Sequence, residues 1–400
     1  MKHLGWLLIL VLGASPAWCA RKITVAQLKD LLVTLQQDKK TDDEVAAELK
    51  QVELSEKLTL PTMNSLVSYV PGAKATEQIY VLEARSAMLP PPASDIPTTP
   101  APDAAAQKAM LAKAATYVTG TFDQLPTLTA TETTLRFQDN VETVASSSGM
   151  QGGASEVTTG SGFVPAYQFI HYINATDSKV ESEHGAEVMP KEKDKTRWGA
   201  NGMITLESAD PSLGDVFQAA QTYGNLTWLR WELVNGKPAA VYSFNVPKKR
   251  SHMEINVCCF PEMQQAGVAS FSGQNGIGQP GGSAGAAGGA KGNFQTATSW
   301  HNYKKDHVPY HGELFINPDT GIVVRMITQP ELKESDEVHF LNTRIDYDPV
   351  TVNGKTLIVP VKSVVDSEVV PKGDSGMGGY STRRTMFTSK YKDYALGGGN

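Results

Sequence analysis

The sequence predicts an α+β protein: a small all-α N-terminal region, then a larger domain built on a curved antiparallel β-sheet with one crossing helix. Three observations carry that prediction. Apolar residues recur at helical spacing as far as about residue 117, and from about residue 120 the period changes from 3.6 to 2. Hairpin turn signals punctuate the second region at Asn235-Gly236, at Pro318-Asp319-Thr320-Gly321 and at Asn353-Gly354. Between the regions lies LPPPASDIPTTPAPD, residues 89–103, whose prolines fit neither a helix interior nor a central strand.

The first twenty residues read as a secretory signal peptide. Lys2 and His3 precede an apolar run too short to span a membrane comfortably, and small residues follow in ASPAWCA. Cleavage after Ala17, Cys19 or Ala20 fits that pattern. No second long apolar run occurs, so the mature chain is expected to be exported, with no transmembrane segment. At 400 residues, 40% hydrophobic and 20% charged, it is long enough to bury a sizeable core. A formal net charge of -6 argues against nucleic acid as a partner, because phosphate binding needs clustered Lys and Arg. Of three cysteines, Cys19 falls at the signal's edge, and Cys258 and Cys259 are adjacent in a strand-like run that points them to opposite faces. With no disulfide framework, the fold must rest on its core.

Residues 21–88 form the helical region. Thr24 caps TVAQLKDLLVTLQ, with Leu28, Leu31, Leu32 and Leu35 on one side. Thr41 or Asp42 caps TDDEVAAELKQV, with Val45, Leu49 and Val52 as its stripe. Met63, Leu66, Val67 and Val70 make a third stripe after Pro61, and ATEQIYVLEARSAML a fourth helix. The proline-rich residues 89–103 follow as a stiff, extended linker.

Residues 104–396 form the β domain. Asp103 caps an Ala-rich helix carrying Met110, Ala114 and Tyr117 on one side. About ten alternating runs follow, from TATETTLRFQ to STRRTMFTSKY, and short turns between them imply an antiparallel meander. PSLGDVFQAAQTY interrupts the pattern with a helix whose Leu213, Val216, Phe217 and Ala220 would lie across the sheet. SEHGAEVMPKEKDKTR reads as a solvated loop, and the Gly-rich residues 272–292 as a mobile connection.

Motifs with chemical meaning are weak. Gly276, Gly278 and Gly281 have dinucleotide-fingerprint spacing but contain Pro280 and open no helix. Ser283 and Ser375 lie in glycine-rich stretches that cannot hold a strained nucleophile turn. His301, His307 and His311 cluster near Asp306 and Glu313; two histidines four apart can share a metal on a helix, but this stretch contains Pro309 and runs into a strand, where that spacing only puts them on one face. No carboxylate pair stands out for acid–base work. No cofactor, metal or catalytic residue is therefore assigned. The aromatic strands are more informative. Trp228, Trp231, Tyr242, Phe244, Phe260 and Phe315 either fill a core beneath the crossing helix or leave an apolar groove on a curved sheet. If a groove exists, its ligand-binding residues are Trp228, Trp231, Tyr242 and Phe244.

Residues 214–255 and 310–332, with IDYDPVTVNGKTLIVPVKSVV, resemble a family of bacterial exported proteins. Strand order and lengths over residues 116–394 are similar to the LolA/LppX/RseB-like lipoprotein-carrier superfold. That resemblance implies a half-barrel sheet closed over by helices, in the periplasm or cell envelope, holding an acyl chain or a hydrophobic segment of an envelope protein without covalent chemistry. Three functions follow from the sequence as expectations: a non-catalytic binding protein for an apolar ligand, a structural or protein-interaction module with a packed core, and a metal-dependent envelope hydrolase using His301, His307 or His311.

Overall fold

A computed structural model describes residues 21–138, 170–188, 205–206, 212–262, 299–369 and 383–397. The expected signal peptide, the Gly-rich residues 272–292 with Ser283, and Ser375 lie outside them. The chain divides into two units, Met1–Pro90 and Pro91–Asn400.

The first unit runs β1 (Arg21–Ile23), α1 (Val25–Gln37), α2 (Asp42–Lys50), β2 (Val52–Leu54), α3 (Leu60–Leu66) and α4 (Ala73–Arg85). Thr24 and Thr41 each form a capping box, accepting from Gln27 N and Glu44 N. Leu28, Leu32, Leu49, Leu66 and Ile79 meet in its core. The expectation of an all-α region is corrected here. Strands β1 and β2 pair in parallel, with Arg21 opposite Val52 and Ile23 opposite Leu54. Three-residue strands are too short to show a period, and Val52, which continues the helical stripe in sequence, opens β2 after α2 ends at Lys50.

The second unit begins with α5 (Ala104–Tyr117), capped by Asp103 and prolonged by one π-helical turn over Val118–Phe122. Strands β3 (Leu128–Gln138), β4 (His171–Glu183), β5 (Ala186–Val188) and β6 (Thr205–Leu206) precede α6 (Leu213–Tyr223). Then come β7 (Thr227–Val234), β8 (Lys237–Val246), β9 (Ile255–Glu262), β10 (Ser299–Lys305), β11 (Tyr310–Ile316) and β12 (Val323–Pro330). The last three are β13 (Val338–Val352), β14 (Lys355–Val369) and β15 (Arg383–Leu396). Ten strands form one antiparallel sheet in the order β5-β4-β3-β15-β14-β13-β12-β11-β8-β7, and β10-β9-β6 form a second, three-stranded sheet. The large sheet is open, ending on β5 and β7, so the expected half-barrel closure is not confirmed. The meander holds from β11 to β15, and β9 and β10 leave it for their own sheet.

Turn chemistry accounts for the pairing. Asn235-Gly236 and Asn353-Gly354 take positive φ at both positions, the geometry of two-residue hairpin loops that match strand twist. His184-Gly185 does the same between β4 and β5, so the first part of the expected solvated loop is instead a hairpin. At the β11–β12 turn, the Asn317 side chain accepts from Asp319 N at 3.0 Å and Thr320 N at 3.1 Å. Gly321 has φ +76, and a Cβ there would meet the Lys113 backbone carbon at 2.5 Å. Lys113 Nζ donates to the Pro318 and Asp319 carbonyls, tying this turn to α5.

One face of the large sheet is covered by α5, its π-turn and α6. Leu213, Val216, Phe217 and Ala220 lie across the sheet as the sequence predicts, packed with Met110, Ala114, Leu314 and Met326. Phe122 packs its edge on Tyr347 at 5.6 Å between ring centroids. Among the described residues no helix is long and apolar enough to cross a membrane.

Candidate functional site

Strand β7 ends the large sheet, and a bulge in it decides where its tryptophans point. Trp228 pairs with Tyr242, Arg230 with Val241 and Trp231 with Ala240, so Leu229 is the extra residue. In a regular strand, residues three apart face opposite ways; the inserted residue turns Trp228 and Trp231 to the same face. That face is the one beneath the helices, because Ala240, Tyr242 and Phe244 all belong to the helix-covered core. Leu229 is 46% exposed at the bulge.

The four aromatic residues divide into two pairs by environment. Tyr242 and Phe244 are only 1% and 3% exposed and pack inside the core with α5 and α6. The Tyr242 hydroxyl donates to the Gln107 carbonyl in the first turn of α5 at 3.3 Å. Phe244 stacks edge-on with Tyr310 and fills the space over Gly312, where a Cβ would meet the Phe244 ring at 2.7 Å and the Ile327 carbonyl oxygen at 2.0 Å. Trp228 and Trp231 are half-buried at the core's margin. Their rings meet edge-on at 4.9 Å, and Trp228 also packs on Tyr242 at 5.7 Å. The Trp231 indole N–H donates to the Pro100 carbonyl at 3.0 Å. The proline-rich segment is thus fixed to the aromatic edge rather than free, and Gln107 Nε2 holds the Pro102 carbonyl at 2.8 Å just before α5 begins.

The opposite face carries a cluster that sequence reasoning missed. Arg230 grips Glu313 with two hydrogen bonds of 2.9 and 2.8 Å and also reaches Glu232 at 2.6 Å. Arg325 binds Asp346 at 2.6 Å and approaches Glu232 at 3.7 Å. Arg344 binds the same Asp346 carboxylate at 3.0 and 2.6 Å. The Phe315 ring lies under Arg230 and Arg325, at 5.8 and 5.3 Å. Burial alone would raise the Asp346 carboxyl, but Arg325 and Arg344 outweigh it and hold it well below the usual carboxylate range. Cations and anions balance in this ladder, so it is built to be internally satisfied. Its signal in the sequence was Arg and Glu inside alternating apolar strands, where charges are unusual unless paired.

Among the described side chains, His307 and His311 are not brought together around a common centre. His307 takes φ +53, and its Nδ1 meets the Ser251 carbonyl at 2.8 Å. His311 lies 3.8 Å from Glu331 on the surface, and Glu313 is committed to Arg230. Asp306 pairs with Lys304 at 3.3 Å. Among the described residues no group of three or more His, Cys, Asp or Glu is arranged to hold a metal. The side chains of His301, Phe260, Cys258 and Cys259 lie outside the description.

No protein family and no curated protein matches this chain. A solved structure, the complex of MucA and MucB from Pseudomonas aeruginosa, aligns over 72% of this chain and 94% of that chain, with 8% identity and a TM-score of 0.19. A score of that size establishes neither a shared fold nor a shared role.

Proposed function

We propose that this chain is an exported, non-catalytic protein-interaction module of the cell envelope, and that its aromatic sheet serves as a core rather than as the wall of a lipid pocket. The observation that supports this reading is the filling of the helix-covered face: Tyr242 and Phe244 are consumed by contacts with α5 and α6. An acyl carrier needs an apolar cavity that buries most of its ligand, and these two side chains meet helix instead. A bend of the sheet toward the half-barrel of lipoprotein carriers is compatible with this reading and is not needed for it. Export rests on the N-terminal twenty residues and their signal-peptide order.

The test is native mass spectrometry of the mature chain purified from envelope fractions, paired with in-cell photocrosslinking from Leu229. The reading expects the bare chain mass and a discrete crosslinked protein. Stoichiometric copurified lipid would overturn it and restore the carrier reading.

A further inference from the structure

We propose that Trp228 and Trp231 form a reading site for proline-rich segments in the polyproline II conformation, and that residues 97–102 of the same chain are its resident, displaceable ligand. The inference rests on the reading of the chain as an interaction module and names the chemistry of the partner.

The residues of the strap carry the argument first. Pro97, Pro100 and Pro102 each fix their own φ, and each restricts the preceding residue, Ile96, Thr99 or Ala101, to extended backbone. Residues 97–103 accordingly form neither helix nor strand. Pro97 and Pro100 have the P-x-x-P spacing, which in a helix of three residues per turn brings both to one side. Such a helix makes no internal hydrogen bonds, so its carbonyls point outward and are free to be read. Trp231 reads one of them, with its indole N–H 3.0 Å from the Pro100 oxygen. Trp228, edge-on to Trp231 at 4.9 Å, completes a paired aromatic surface at the sheet margin. An aromatic surface plus an indole donor is the chemistry by which polyproline segments are recognised, because the stiff ligand loses little entropy on docking.

The strap is also lightly held. Thr98, Thr99 and Pro100 are exposed. Among the described residues, hydrogen bonds tie it to the rest of the unit through Trp231 at Pro100 and through Gln107 at Pro102. Each such bond is worth about 1 kcal/mol net. A partner segment offering the same carbonyl and the same proline spacing therefore competes for the same contacts, with the tethered strap acting as a built-in competitor that lowers its apparent affinity.

The probe is the octapeptide IPTTPAPD, the sequence of residues 96–103, titrated by calorimetry into the mature chain and into a Pro97→Gly/Pro100→Gly variant whose strap is loosened. The expected result is saturable binding to the variant at least about tenfold tighter than to the unaltered chain, lost when Trp231→Phe is added. A control peptide with alanine at each proline position should not bind. Equal binding of the control, or no binding to the loosened variant, overturns the proposal. Should that variant fail to fold, Trp231→Phe in the otherwise unaltered chain decides: proteolysis within residues 97–102 should accelerate about tenfold as the strap's anchoring bond is lost, and an unchanged rate overturns the proposal. A lipid-free chain that still crosslinks a protein while ignoring the peptide would sink this inference and leave the module reading standing.

Discussion

At the scale of single residues, Asp346 and Gly312 show how tightly the large sheet is specified. Asp346 lies between two arginines in a largely buried position, so removing its charge takes away the carboxylate that both cations share. Asp346→Asn is expected to cost about 3–5 kcal/mol near neutral pH, measured by urea unfolding of residues 21–400. The pH dependence follows from the direction of its shift. A carboxyl held below its ordinary value stabilises fully above that value, near 3.9, and loses its contribution as pH falls below it. The acid limb of the stability profile should therefore be shallower in Asp346→Asn than in the unaltered chain. Gly312 makes a steric point instead. A methyl group there collides with the Ile327 carbonyl of the neighbouring strand, so Gly312→Ala should destabilise by about 2–3 kcal/mol although alanine normally suits a strand better.

At the scale of elements, the β11–β12 hairpin and strand β7 carry the lessons. The turn at Asn317–Gly321 joins two strands and also docks on α5 through Lys113. Gly321→Ala should cost more than about 1 kcal/mol, because it adds strain at positive φ to a collision with the α5 backbone. Hydrogen exchange would show the effect as faster exchange in the last turns of α5, not in the hairpin alone. Much of this level was legible in the sequence. Asn-Gly pairs, the Asp103 cap and the Leu213, Val216, Phe217, Ala220 stripe are local signals, and the structure bears each of them out. Strand β7 marks the boundary of legibility. Whether Trp228 and Trp231 share a face depends on the bulge at Leu229, and that bulge is set by pairing with β8, not by residues within β7. The polar second half of β4, ATDSKVESE, was passed over because a strand with little apolar surface shows no alternation.

At the scale of the whole molecule, each of the two units has a hydrophobic core of its own. Residues 21–90 and 91–400, expressed separately, should each unfold cooperatively in denaturant, and a non-cooperative profile for either would contradict that division. The proline-rich stretch, which the sequence reads as a stiff, extended linker over residues 89–103, begins beside the division at Pro90–Pro91. Trp231 and Gln107 hold its second half. A contact across some 130 positions leaves no trace in local composition, and the charge ladder spread over β7, β11, β12 and β13 shows there only as charges within apolar strands, not as the pairs they form.

That ladder has an evolutionary consequence. Arg325 faces Asp346 directly across two strands, and sliding one strand by a single residue would throw either charge to the far side of the sheet. Loss of Asp346 removes the carboxylate that Arg325 shares with Arg344, and loss of Arg325 leaves Asp346 with Arg344 as its described cation, so a change at one position alters what the other tolerates. Aligned homologues should show positions 325 and 346 drifting as a correlated couple, swapping polarity or turning apolar together.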